Sequence, residues 1–191
     1  MSDPGPAVCG LVLAAGAGTR FGGPKALALS SDGTPWLSRA VRVLTDAGCR
    51  RVVVALGASA TEARELVPPE AETVVVEDWA EGLSATLRRG LRAAAGEGTD
   101  AVLVVPVDTP GLPAAATRRV IEAAALPWAE ALVQAVYRGA PGHPVLIGAG
   151  HIERLAASLS GDRGARAHLA AHGALEVECA DLWSGADIDM R

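Results

Sequence analysis

No dense block of lysine or arginine occurs in this chain, and 17 basic against 22 acidic residues leave a net charge of −5. A protein that grips DNA or RNA as a polymer needs a basic face, so nucleic-acid polymers are excluded as partners and any anionic ligand should be small. Cysteine is scarce too: Cys9, Cys49 and Cys179 lie far apart, with no CxxC pair. Neither a disulfide framework nor a cysteine zinc site is indicated, and the thiols read as buried fillers in a reducing cytoplasm. No apolar run is long enough to cross a membrane. The opening MSDPGPA lacks the basic patch and apolar core of a secretory signal, so residues 1–7 are expected to be frayed and the protein cytoplasmic. Repeats, charge blocks and long linkers are missing, and aromatics make up only 3% of the residues. What is present, 191 residues of which 50% are hydrophobic, suits one domain over residues 8–191 with a substantial core.

The most informative stretch runs from Val8 to Leu27, VCGLVLAAGAGTRFGGPKAL. Its first half, with Val8, Leu11, Val12 and Leu13 among small residues, suits a strand buried on both faces. Its second half turns to glycine and charge. Gly16, Gly18, Gly22 and Gly23 can take positive φ and admit a close neighbour, while Arg20 and Lys25 bring two cations to the same loop. Such a loop can cradle phosphates. It is not a P-loop, because Lys25 follows Pro24 and precedes Ala26, and it is not the dinucleotide fingerprint, because Phe21 stands where that pattern needs its third glycine.

Strand and helix patterns then alternate. Trp36, Leu37, Ala40, Val41, Leu44 and Ala47 share one helical face that Gly48 can end. A strand at Arg51 to Leu56 leads into Gly57, a helix is expected from about Ala60 to Val67 before Pro68 and Pro69, and Thr73 to Val76 reads as a short strand. Leu83, Leu87, Leu91 and Ala94 mark a helix whose Arg88, Arg89 and Arg92 read as a solvated face. Ala101 to Val107 is a nearly unbroken apolar run, as in a central parallel strand, and ends at Asp108. In open α/β sheets ligands bind beyond such strand ends, so Asp108 is either a site residue or the start of the turn with Thr109, Pro110 and Gly111. The fold class is a three-layer α/β/α sandwich around a mostly parallel, Rossmann-like sheet.

The loop resembles the signature LAAGxGxRxGxPK of nucleotidyltransferases that activate small phosphorylated compounds. Every fixed position is met, from Leu13, Ala14, Ala15, Gly16 and Gly18 through Arg20, Gly22 and Pro24 to Lys25. Further segments resemble the molybdenum cofactor cytidylyltransferase branch. Asp108 and Pro110 follow a run like LVxLxDxP; Trp79, Gly82, Thr86, Leu87, Gly90 and Leu91 match a second segment. Gly139 and Pro141 to Leu146 match GRPGHPVL with Ala140 in place of Arg, and Gly161, Asp162, Gly164, Ala165 and Arg166 match GDxGAR. The tail begins like DIDTPEDL at Asp187, Ile188 and Asp189, then departs at Met190. A second departure puts Glu77 and Asp78 before Trp79, acids where that family commonly has Asn-Pro.

The resemblance implies transfer of CMP from CTP to the phosphate of molybdenum-molybdopterin, with Mg²⁺ and release of pyrophosphate. Nucleotide binding would fall to Leu13, Ala14, Ala15, Gly16, Gly18, Arg20, Lys25, Gly57 and Thr86, and catalysis to Arg20, Lys25 and Asp108. Asp108 and Asp187 would hold the metal; His143, Asp162 and Arg166 would meet the acceptor. Taken alone, His143 reads as a structural histidine, but its place between Gly142 and Pro144 on a tight loop moves the reading towards the site; Asp162 can instead be a cap for a helix over Gly164 to His172. The implied partners are CTP, a molybdopterin-like phosphorylated acceptor, and a molybdoenzyme or its chaperone, with no membrane. The alternatives are a relative using a sugar phosphate, phosphoenolpyruvate or phospholactate, or a catalytically silent module that hands the cofactor on. In this superfamily LAAG goes with pyrimidine nucleotides and LAGG with guanine, which favours CTP over GTP.

Overall fold

Side chains alternate between the two faces of a strand, so a strand covered on both sides must be apolar throughout. That condition is met in β1 (Val8–Ala14), in β4 (Ala101–Pro106) and in β2 (Arg51–Leu56) after its first residue; with the less buried edge strand β3 (Glu72–Val75) they form the parallel half of the sheet in the computed structural model, covering residues 5–190. β5 (Leu132–Tyr137), β6 (Ala140–Gly148) and β7 (Leu175–Glu178) complete a seven-stranded sheet of order β3-β2-β1-β4-β6-β5-β7. Only β6 runs against the others, pairing antiparallel with β4 and β5.

Even and odd positions of β1 feed two separate cores. Val8, Val12 and Ala14 face α1 (Trp36–Asp46), α2 (Ala60–Arg64) and α4 (Ala114–Glu122). Cys9 and Leu11 face α3 (Leu83–Ala94), α5 (Ala149–Ser158) and Leu169 of α6 (Arg166–Ala171). Two glycines set the spacing between layers. A Cβ on Gly10 would lie 2.8 Å from Leu44 Cδ1, and one on Gly90 would lie 2.8 Å from Leu11 Cδ1, so α1 and α3 settle directly onto β1. All three cysteines are buried, and burial pushes the Cys9 and Cys49 thiols up to about 11 and about 12.

Several boundaries differ from the sequence reading. α2 stops at Arg64 instead of reaching Val67, and the chain finishes in single turns from Leu66 N–H to Ala63 and from Val67 N–H to Arg64. Arg88 does not simply face water: its Nη2 donates to the Leu159 carbonyl at 3.0 Å, whereas Arg89 is exposed and Arg92 pairs with Glu153 at 2.9 Å. Of the segment expected to fray, residues 1–4 lie outside the described residues. Ala7 N–H donates to Asp100 Oδ2 and Arg50 Nη2 to the Gly5 carbonyl, both at 2.8 Å.

Candidate active site

The chain leaves β1 towards β2 and β3, then crosses back to place β4 on the other side of β1. The loops after β1 and β4 therefore part at the sheet's switch point, where an open α/β sheet forms its ligand crevice. A cleft of about 970 Å³ opens there. Leu13, Ala14, Ala15, Gly16, Gly18 and Lys25 line it from β1 and its loop, Thr86 from α3 and Asp108 from beyond β4. His143, Asp162, Arg166 and Asp187 line the same cleft although they are distant in sequence.

Two expected contacts fall elsewhere. Gly57 lies behind the cleft wall, where a Cβ would come within 2.6 Å of both the Ala15 carbonyl oxygen and Trp79 Cβ; it is a packing position. Arg20 is exposed and outside the cleft lining, yet close enough to attract the Asp189 carboxylate. Glu77 and Asp78 also stay outside the lining, so these acids do not enter the pocket.

The loop's shape follows from Gly18. With φ of 59° its carbonyl accepts from Phe21 N–H at 2.9 Å and Gly23 N–H at 3.0 Å, and a Cβ there would strike the Gly23 carbonyl. Those two N–H groups serve the loop, which shortens the run of donors that residues 17–23 can offer an anion. Phe21 is buried against Trp36 with ring centroids 5.3 Å apart, anchoring the loop tip to α1.

Lys25 starts the next helical turn, and its Nζ lies 2.8 Å from Asp108 Oδ2 and 2.9 Å from Asp189 Oδ1. Desolvation disfavours the ammonium, but hydrogen bonds to Asp108 and Asp189 outweigh it and raise the Lys25 pKa. The hydrogen bond from Lys25, its charge and that of Arg20 hold Asp189 below the usual carboxylate range. Asp187 joins them: one carboxylate oxygen from each of Asp108, Asp187 and Asp189 lies within 4.8 Å of the others. The tail is pinned here because Ile188 N–H donates to the Asp108 carbonyl at 3.0 Å and Trp183 packs edge-on against Tyr137 at 5.4 Å. Asp189 was absent from the expected site set, although the Asp187-Ile188-Asp189 spacing carried the signal.

His143 lies in β6 instead of a tight loop, before the cis bond to Pro144, and its carbonyl accepts from the Tyr137 hydroxyl at 2.7 Å. Desolvation lowers the imidazole pKa against the opposing pull of Asp108 and Asp187, leaving a neutral ring on the wall. Asp162 does not cap α6, whose preceding residue is Ala165 with no side-chain cap. Its carboxylate lies where a Cβ of Gly82 would stand, and Ser84 N–H donates to the Gly161 carbonyl at 3.0 Å, so this loop closes over the start of α3. Arg166 opens α6 at the rim.

A switch-point cleft with a glycine loop, a lysine and three convergent carboxylates is suited to a nucleoside triphosphate and a divalent cation. Residues 10–177 match the MobA-like NTP transferase domain. The chain belongs to the MobA-like NTP transferase family. Its fold is shared by solved structures: Rv0371c from Mycobacterium tuberculosis H37Rv superposes with a TM-score of 0.83 at 26% identity, over 98% of this chain and 95% of that one. Rv0371c in complex with manganese gives a TM-score of 0.73 at 26% identity, over 90% and 88% of the two chains. A relative whose name declares another chemistry is nicotine blue oxidoreductase of Paenarthrobacter nicotinovorans, 35% identical over 96% of this chain and 93% of its own.

Proposed function

We propose that the protein is a Mg²⁺-dependent cytidylyltransferase that moves CMP from CTP to the phosphate of a molybdopterin-like acceptor. The observation that carries this is the Lys25 ammonium held between Asp108 and Asp189 beside Asp187, at the mouth of a glycine loop. A phosphate oxygen of the acceptor forms a bond to the α-phosphorus of CTP while the bond to the β-phosphate oxygen breaks, and pyrophosphate leaves with that electron pair. Because the acceptor phosphate is already ionised at neutral pH, the protein supplies charge and position more than a base. Lys25 would neutralise the β- and γ-phosphates, Arg20 would add its charge from outside the cleft lining, and Ala15 with Gly16 would bound the base. His143, Asp162 and Arg166 line the same cleft, and these side chains would meet the acceptor.

The carboxylates of Asp108 and Asp187, with Asp189 beside them, fit Mg²⁺, which takes oxygen ligands and uses one or two carboxylates with substrate phosphates. A cation bound there would withdraw charge from the reacting phosphates. Lys25 would then exchange its carboxylate contacts for the triphosphate. This reading is tested by pyrophosphate release from CTP with molybdopterin as acceptor. Asp108→Asn should lower turnover at least about a hundredfold with the fold intact. Near-normal turnover of that variant at saturating Mg²⁺ refutes the assignment.

A second reading rests on the relative that is 35% identical over 96% of the chain and carries an oxidoreductase name. A redox protein would consume a two-electron donor such as a nicotinamide and release no pyrophosphate. Nicotinamide oxidation without any response to CTP would favour it.

A further inference from the structure

Outside the cleft, three histidines meet between α5 and α6. His151 comes from α5, His168 from α6 and His172 from the end of α6, and one ring nitrogen of each lies within 4.8 Å of the others. We infer that His151, His168 and His172 form a binding site for a divalent transition metal of the zinc class. His168 and His172 are four residues apart, a spacing that sets two imidazoles on one side of a helical turn, as in H-E-x-x-H metal sites. Their rings stack with centroids 4.1 Å apart, and each meets the His151 ring nearly edge-on.

The separations are close to those of a metal centre. His151 Nδ1 and His168 Nε2 are 3.1 Å apart, against about 3.3 Å for two ligands of a tetrahedral ion with Zn–N bonds of about 2.0–2.1 Å. The tautomers agree. His172 Nδ1 lies 2.8 Å from the His168 carbonyl, which can only accept, so this nitrogen carries the proton and Nε2 keeps its lone pair. His151 turns Nε2 towards Glu130 Oε2 at 3.6 Å, the side from which a carboxylate orients a metal-bound imidazole, leaving Nδ1 as the ligand. In the metal-free protein one of the two facing nitrogens, His151 Nδ1 or His168 Nε2, donates to the other. For both to bind a metal, that proton must leave the shared position for the far nitrogen of its ring or for solvent.

His151 and His168 are 5% and 8% exposed, which keeps two ligands away from bulk water while His172 stays at the surface as the entry side. The ligand set is nitrogen and not thiolate, and is distinct from the oxygen set of the cleft, which suits a harder ion. None of the three histidines lines the cleft, but Arg166 and Leu169 of the same helix do. A bound ion would therefore staple α6 to α5 and hold Arg166 in place.

The test is calorimetric titration of chelator-treated protein with Zn²⁺ in excess Mg²⁺, which occupies the carboxylate cluster. One Zn²⁺ per chain is expected. His168→Gln and the surface variant His172→Gln should each weaken it at least about tenfold, while Asp108→Asn should leave it unchanged. Substitution with Co²⁺ should give a visible spectrum of nitrogen and oxygen ligation without a thiolate band. Absence of saturable binding, retention of full affinity by both histidine variants, or loss of binding in Asp108→Asn overturns the site.

Discussion

Replacing Lys25 by alanine removes the ammonium that bridges Asp108 and Asp189 beside Asp187. The Lys25 and Asp108 side chains are 15% and 21% exposed and 2.8 Å apart, so their pairing is only partly screened by water. A pair of this kind contributes about 1 kcal/mol, the upper end for ion pairs near a surface. The contact to Asp189 is more exposed and adds less. For a domain of this size that loss corresponds to a fall in Tm of about 2–4 °C. Repulsion among the freed carboxylates acts in the same direction. The local charge of three carboxylates and one ammonium changes from −2 to −3, so a divalent cation should bind the variant more tightly than the native protein. Binding to the folded state raises stability by mass action, and the deficit in Tm should therefore shrink as Mg²⁺ is added. Turnover behaves oppositely and stays at least about a hundredfold down at any Mg²⁺ concentration, because the lost charge served the triphosphate. Melting curves in chelator and across a Mg²⁺ series, with pyrophosphate release measured in parallel, read all three quantities. A variant as stable as the native protein in chelator, with an unchanged Mg²⁺ response, would refute the idea that Lys25 holds a cation site closed.

Ala15→Gly enlarges the wall against the base and should relax preference for CTP over GTP by about tenfold, read as the ratio of products from an equimolar mixture; a native enzyme that already uses both nucleotides equally sinks the pyrimidine reading. Gly90→Ala forces a Cβ to 2.8 Å from Leu11 Cδ1 and should cost about 1–3 kcal/mol of overpacking, so a denaturant midpoint at the native value contradicts the close approach of α3 to β1. His143 and His168 both titrate below their ordinary 6.5, chiefly through desolvation. The unfolded chain then takes up protons first as pH falls through 6.5, so stability declines from there downwards, and a flat Tm in metal-free protein between pH about 7.5 and about 5.5 would be inconsistent with that burial.

The elements readable in the sequence are those whose side chains face one environment along their whole length. Strand β2 carries the apolar run Val52 to Leu56 to its end, and β4 runs from Ala101 to Pro106 because both faces are covered. The same holds for α3 from its second turn, where the stripe of Leu87, Leu91 and Ala94 is buried, whereas Leu83 at its start is exposed. The glycine loop was legible for a local reason, since the backbone turn at Gly18 tolerates no other side chain and its signature is contiguous. β7 was not legible, because an edge strand with alternating exposed acids carries no apolar run. Nor was the cap assigned to Asp162, which depended on where α6 would start.

The distribution of charge was decided by tertiary structure alone. Sequence placed Lys25, Asp108 and the tail acids in one functional class, but their meeting within hydrogen-bonding distance depends on β4 lying beside β1 and on Ile188 pairing with Asp108. Gly57 reads like another phosphate-loop glycine, and only packing against Ala15 and Trp79 shows it as a spacer. The three histidines likewise say little in sequence, since His151 stands 17 residues from His168, and they become neighbours because α5 and α6 cover the same face of the sheet. Local pattern determines which segments fold, because it reports the water or apolar surroundings of each residue; which side chains meet is set by strand order, a long-range property that no window of sequence contains.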